Sequence, residues 1–276
     1  MMEEGFSIIT TGGLNLYGKT FLPEGEPRAI VCIVHGMSEH LGRYTHVAEK
    51  FTESQIGVYI IDLRGHGKSE GKRGHGSISK MLLDVQELVV LARRDFNDLP
   101  IFLFGHSMGG NLVANYLIRL ISSEISGAIL SSPWFELAFK EPSFKLFLGK
   151  VVKNTFPATT FPDGLNPSEL AHDEEVGIAY AKDPLVHSRI SARLFFDIKA
   201  AGKFALERAP LIEIPLLVAH GDDDPIVSKK ASEEFASKVV KSEFKIWNES
   251  KHESHNDKHK DEVITYYVDW VLKQLK

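Results

Sequence analysis

The stretch Ile101-Phe-Leu-Phe-Gly-His-Ser-Met-Gly109 decides the reading of this chain. Residues 101–104 are a short apolar run of strand character, and 111–121 is helix-forming. Between them Gly105-His-Ser-Met-Gly109 is a G-x-S-x-G. In that setting the serine sits on a strained strand-to-helix turn, and the flanking glycines let strand and helix approach closely. Its hydroxyl then stands at the carboxyl end of a sheet, beside a helix N-terminus whose amides favour developing negative charge. A bare G-x-S-x-G arises readily by chance; the strand before it and the helix after it make this one specific. Ser107 reads as a nucleophile.

The same rhythm extends to both sides. Apolar runs at 30–34, 58–61 and 128–130 end near small or polar residues. Between the runs lie helical spacings such as Val47/Phe51 and Leu82/Val85/Leu88/Val89/Leu91/Ala92. Uniformly apolar strands alternating with helices indicate a parallel sheet covered on both faces. The pattern returns late, with a strand at 216–219, a helix near 228–240, a strand at 244–247 and a final helix near 258–275. The first 22 residues read as a hairpin, 6–10 and 14–22, turning at Gly12-Gly13. Together these give an α/β fold with a mostly parallel sheet of about eight strands. Residues 135–208 interrupt it. They contain Pro142, Pro157, Pro162, Pro167 and Pro184, with helical fragments between. Phe144, Phe147, Leu148, Val151 and Val152 fall on one helical face. That face is read in two ways: packed on the main domain, or part of a cap that lines an apolar pocket and touches lipid. The expected division is a core of 1–134 and 209–276 with a cap at 135–208.

Composition narrows the class. The chain has 276 residues, 43% of them hydrophobic and 25% charged, and a net charge of −5. No basic block offsets that charge, which argues against nucleic-acid binding. The longest apolar runs fall far short of the roughly 18 residues that span a bilayer. The opening Met1-Met-Glu-Glu-Gly5 lacks a secretory pattern, and the single Cys32 permits no intrachain disulfide. The expectation is a cytoplasmic enzyme, with peripheral contact to membranes through the cap.

A serine nucleophile needs a base, and the base an orienting acid, in the chain order Ser, acid, His. After the strand at 216–219 comes His220-Gly-Asp-Asp-Asp-Pro225, with three candidate acids. Asp224 fits the turn best; Asp222 and Asp223 read as turn or solvent residues. The loop after 244–247 carries His252 and His255. His252 is the better-placed base, with His255 its rival. His252, His255 and His259 also invite a metal reading, but the first two lie in a loop with no matching carboxylate pair, so no metal is expected. An oxyanion hole needs two backbone N–H groups. Met108, after the nucleophile, supplies one; Met37, in the His35-Gly-Met-Ser-Glu-His40 loop, supplies the other.

His35-Gly-Met-Ser-Glu-His-Leu-Gly-Arg-Tyr44, Asp62-Leu-Arg-Gly-His-Gly-Lys-Ser-Glu-Gly71, Gly105-His-Ser-Met-Gly-Gly110 and Asp183-Pro-Leu185 together resemble the monoglyceride lipase family. That is a family of serine hydrolases with the α/β-hydrolase fold, and poxvirus-encoded members share this compact length. The match runs over nearly the whole chain and is strongest before Pro133. The resemblance implies a triad of Ser107, Asp224 and His252, hydrolysis of monoacylglycerol to fatty acid and glycerol, and no cofactor. It also implies that Glu39, Arg43 and His255 form a polar end that receives glycerol. Two positions depart from the family: Met37 replaces a small residue of the oxyanion loop, and Val227 replaces a cysteine after the acid. The first narrows the site; the second removes a thiol without touching catalysis. The competing readings are a lysophospholipase or general carboxylesterase with the same triad, and a silent binding protein that keeps the fold. Dehalogenase and epoxide hydrolase chemistry is excluded, because their nucleophile at this turn is a carboxylate.

Overall fold

The computed structural model describes residues 1–120, 124–140 and 142–275; position 121, the last of the helix expected after Ser107, lies outside them. An eight-stranded sheet forms the centre. Its strands are β1 (Met2–Ile9), β2 (Asn15–Leu22), β3 (Ala29–Val34), β4 (Ile56–Ile61), β5 (Ile101–His106), β6 (Gly127–Ser131), β9 (Leu216–Gly221) and β10 (Ser242–Trp247). They lie in the order β1-β2-β4-β3-β5-β6-β9-β10. β1 with β2 and β2 with β4 pair antiparallel, and every later neighbour is parallel. This is the α/β-hydrolase architecture expected from the sequence. The opening hairpin is longer than its apolar residues suggested: β1 begins at Met2 and ends at Ile9, while Thr10 accepts the Gly13 amide within the turn. Gly13 takes φ 78°, which explains a glycine there.

β3, β4, β5, β6 and β9 are buried along their whole length, as strands covered on two faces must be. On one face pack α2 (Ile78–Asp95), α3 (Met108–Arg119), α6 (Ala192–Arg208) and α7 (Lys229–Lys238), around Leu103, Leu112, Ile198 and Phe235. On the other lie α1 (Thr45–Glu53) and α8 (Lys260–Gln274), around Phe51, Phe104, Tyr267 and Val271.

The segment between β6 and β9 contains α4 (Ser143–Thr155), β7 (Thr160–Pro162), α5 (Glu174–Lys182) and β8 (Arg189–Ser191), then α6. β7 and β8 pair antiparallel as a separate two-stranded sheet. α6 anchors this segment. Asn111 of α3 donates its Nδ2 hydrogens to the carbonyls of Ile198 and Trp134, and Asn115 does the same to Ala201. Gly202 meets the Phe135 backbone so closely that a Cβ would lie 2.1 Å from its carbonyl oxygen. α4 differs: Phe144, Phe147, Leu148 and Val151 are exposed, with Phe144 at 71%, and Val152 is half-buried. Packing of this apolar face on the main domain, one of the two readings above, is therefore corrected.

Candidate active site

Ser107 is the N-cap of α3, with φ 53° and ψ −117°. The glycines around it make that turn possible by removing side chains. A Cβ on Gly105 would sit 2.5 Å from the Gly109 carbonyl, and one on Gly109 would sit 2.0 Å from that of Val34. The turn is held by main-chain bonds: Ser107 N–H donates to Ser131, and the Ser107 carbonyl accepts from Asn111 and Trp134. The strain is thus over-determined by its surroundings.

β9 and β10 lie to the same side of β5 and deliver the partners expected from sequence. His252 Nδ1 donates to Asp224 Oδ2 at 2.8 Å, and both side chains are buried. Fixing the proton on Nδ1 leaves Nε2 as the basic nitrogen. Asp224 is held by the chain as well: its Oδ1 accepts the amides of Ile226 at 2.8 Å and Val227 at 3.1 Å. A partner that sequence reasoning missed, His220, places Nε2 3.1 Å from Asp224 Oδ2 and contacts Ser232 Oγ through Nδ1. Burial works to raise the Asp224 pKa, but His252 and His220 outweigh it and hold the carboxyl well below the ordinary range. For His252 burial opposes the proton, and the Asp224 carboxylate prevails, raising its pKa above 6.5. Asp222 and Asp223 stay in the turn, where Asp222 Oδ1 accepts the Ser250 amide and Asp223 meets the half-exposed His172.

The loop after β3 closes in on Ser107: a Cβ on Gly36 would stand 3.3 Å from the Ser107 Cβ. Met37 lines the cavity beside Ser107, and Met108 is the first residue of α3, its side chain in the core. Met108 thus follows Ser107 directly, and Met37 lines the same cavity.

The cavity itself has a volume of about 370 Å³. Leu137, Phe139, Leu165, Ile190, Phe195 and Ile226 make much of its wall apolar. Among the described residues lining it are four carboxylates, Glu39, Asp163, Glu169 and Glu253, and no lysine or arginine. At the polar end Glu39 Oε1 accepts the Gly36 amide at 2.6 Å and the Tyr44 hydroxyl at 2.7 Å, while Oε2 accepts Arg43 Nη1 at 2.8 Å. A forked pair of hydrogen bonds joins Arg43 to Glu253, a residue that the sequence reading did not single out. Arg43 Nη1 and Nη2 each donate to one oxygen of Glu253 at 2.6 Å. Burial raises Glu39, whereas in Glu253 the Arg43 guanidinium overcomes burial and brings the pKa down to about 2. The only sequence hint of Glu253 was an acid directly beside the base.

His255 does not reach the cavity. It is fully buried, stacked on Tyr44 with ring centroids 5.2 Å apart and edge-on to His106 at 4.7 Å. Neither ring nitrogen has a hydrogen-bond partner among the described residues, and burial pushes its pKa down to about 3. It is thus corrected both as a glycerol contact and as the alternative base. Among the described residues no three His, Cys, Asp or Glu side chains gather as a metal site would need.

The profile of the Hydrolase_4 family, described as serine aminopeptidase S33, matches residues 25–259. The chain belongs to this family. It is 32% identical to a monoacylglycerol lipase of Mycolicibacterium smegmatis over 98% of its own length and 97% of the relative's. A monkeypox virus monoglyceride lipase homolog is 29% identical, with 95% of each chain covered. An uncharacterized abhydrolase domain-containing protein of Dictyostelium discoideum is 34% identical, though the chain spans only 29% of it. Among solved structures, the monoacylglycerol lipase of Paleococcus ferrophilus superposes with a TM-score of 0.86 at 32% identity, covering 94% of this chain and 99% of that one. The protein is a serine hydrolase of the α/β-hydrolase fold.

Proposed function

We propose that the chain hydrolyses monoacylglycerol to fatty acid and glycerol through an acyl-enzyme on Ser107. The observation that carries this reading is the strained Ser107 at the floor of an apolar cavity, with the buried Asp224–His252 pair beside it. In this mechanism Ser107 Oγ attacks the ester carbonyl while His252 Nε2 takes its proton, and Asp224 stabilises the imidazolium. The amides of Met37 and Met108 hold the oxyanion. His252 then protonates the departing glycerol oxygen, and water repeats the sequence on the acyl-enzyme, regenerating the serine.

The acyl chain fits the apolar wall, and the glycerol end meets Glu39 and Glu253. Carboxylates accept hydrogen bonds from hydroxyls, and Arg43, the guanidinium behind this end, is already paired with Glu39 and Glu253, so a cavity lined by four carboxylates and no lysine or arginine favours an uncharged head group over a phosphate. That argument sets monoacylglycerol above a lysophospholipid. The segment 135–208 acts in this reading as a cap, and the exposed face of α4 brings it to a lipid surface.

Turnover of monoacylglycerol, lysophosphatidylcholine and a short nitrophenyl ester tests the substrate. Monoacylglycerol should lead. Glu39→Ala should lower its turnover about tenfold relative to the nitrophenyl ester, which has no hydroxyls to recognise. A ratio unchanged from the parent, or a preference for lysophosphatidylcholine, would replace this reading with the broader esterase or phospholipase one. A folded parent that turns over none of the three, with Ser107 untouched by a fluorophosphonate probe, would favour the silent binding protein.

A further inference from the structure

Ser38 stands in the loop after β3 with φ 69°, a left-handed conformation that residues other than glycine seldom adopt. It is buried, and its conformation is held from outside the loop. The Ser38 hydroxyl donates to Asp163 Oδ2 at 2.5 Å, and the Ser38 carbonyl accepts the His187 amide at 3.0 Å. Both partners come from one end of the two-stranded β7–β8 sheet. There Pro162 pairs with Arg189, the Asp163 amide donates to Ser188, and His187 is the next residue. Asp163 is itself fixed, since its Oδ1 accepts the Leu165 amide at 3.1 Å. A further tie runs from His40 Nε2 to Asp183 Oδ2 at 2.8 Å.

The upstream side of the same loop is held by the core. His35 Nδ1 donates to the Gly36 carbonyl at 2.7 Å, and that carbonyl shares a planar peptide with the Met37 N–H. The direction of the Met37 N–H is therefore set between two clamps, His35 from the core and, through Ser38, Asp163 and His187 at the end of the β7–β8 sheet. We propose that Asp163 is a positioning residue for hydrolysis: by bracing Ser38 it aims the Met37 amide, so that the β6–β9 segment completes the oxyanion-binding loop. This rests on the serine-hydrolase mechanism above and assigns the segment a part in the chemical step, separate from any role in meeting lipid.

The test uses a soluble nitrophenyl butyrate, which needs neither a membrane nor a glycerol contact, with folding followed by thermal melt. Asp163→Ala should lower kcat about tenfold with little change in KM, because a misaimed oxyanion donor weakens the transition state more than the bound ester. Asp163→Asn keeps an acceptor for the Ser38 hydroxyl and should stay within about threefold of the parent. Adding Ser38→Gly to Asp163→Ala should recover at least about threefold, since glycine takes a positive φ without a brace. Three outcomes overturn the proposal: kcat of Asp163→Ala within about twofold of the parent, a rise in KM alone, or no gain from the added glycine. If Asp163→Ala fails to fold, Ser38→Ala and Ser38→Gly decide: both remove the hydroxyl that Asp163 holds, so a kcat deficit in Ser38→Ala that is smaller by about threefold or more in Ser38→Gly supports the brace, and equal kcat values overturn it. A parent that turns over no ester overturns the mechanism and this inference together, whereas an active parent with an unchanged Asp163→Ala overturns this inference alone.

Discussion

α3 and α4 are nearly equal in length, 12 and 13 residues, and both carry apolar residues at helical spacing. Yet α3 is buried from Met108 to Leu117, while α4 shows Phe144, Phe147, Leu148 and Val151 to solvent. The difference lies in the neighbours. α3 lies between the sheet and α6, and its asparagines donate to the carbonyls of α6. α4 meets α6 along one edge, where Gly149 lies against Phe196 and Lys153 pairs with Asp197 at 2.8 Å. A helical stripe records that a face wants apolar company; it does not record whether the partner is part of the same chain. Catalytic geometry belongs to the region around α3, and the exposed apolar surface to the region around α4. Substitutions can therefore separate the two.

The largest effect is expected at Ser107. Ser107→Ala removes the nucleophile with little packing, so ester turnover should fall by about 10³-fold or more while the melting temperature holds. Near-normal turnover of any ester by that variant would sever the link between the turn and the chemistry.

Asp224→Asn comes next, with a loss of about 10³-fold expected because the carboxylate fixes the tautomer of His252. Asp222→Asn and Asp223→Asn should cost far less, and equal losses at all three would leave the acid unassigned. The pH profile gives a second readout. A general base works only when neutral, and the folded pKa of His252 is raised, so activity should fall as pH drops through a point above 6.5. Removing the Asp224 charge leaves burial in control, which should move that limb to lower pH.

A third prediction concerns stability at the polar end. Arg43→Leu strands the carboxylates of Glu39 and Glu253, both nearly inaccessible to solvent, and should destabilise the fold by about 3–5 kcal/mol in chemical denaturation. A change under about 1 kcal/mol would mean that water reaches this cluster.

The strands, the nucleophile turn and the Asp224–His252 pair were legible in the sequence because each leaves a local mark: an apolar run, a glycine on either side of a serine, a carboxylate or histidine just past a strand end. Glu253 was not singled out because its bond to Arg43 joins residues across the fold with no periodic signature, and His220, only four residues before Asp224, because a polar residue at the end of an apolar strand reads the same whether it turns to the acid or to solvent. His255 failed for the complementary reason. Its spacing from His252 is right for a shared loop, but the loop turns its ring inward against Tyr44. Position in sequence located that residue and packing decided its environment.

The smallest effect tests the α4 side of the comparison. Phe147 is 66% exposed, so Phe147→Asp removes little packing and should leave the melting temperature and turnover of a soluble short ester near those of the parent. At a lipid surface the balance changes. A phenylalanine that leaves water gains about 1.5–3 kcal/mol, and a carboxylate placed there forfeits that gain. Partitioning to phosphatidylcholine vesicles should fall by about tenfold or more, and hydrolysis of vesicle-borne monoacylglycerol should fall with it. Leu148→Asp, on the same exposed face, should act in the same direction. Val90→Asp, on an exposed apolar residue of α2, serves as the control, because it adds the same charge away from α4. Equal partitioning of all three variants would show that the α4 face does not meet lipid, and that the cap serves the site only through the contacts it makes with the core.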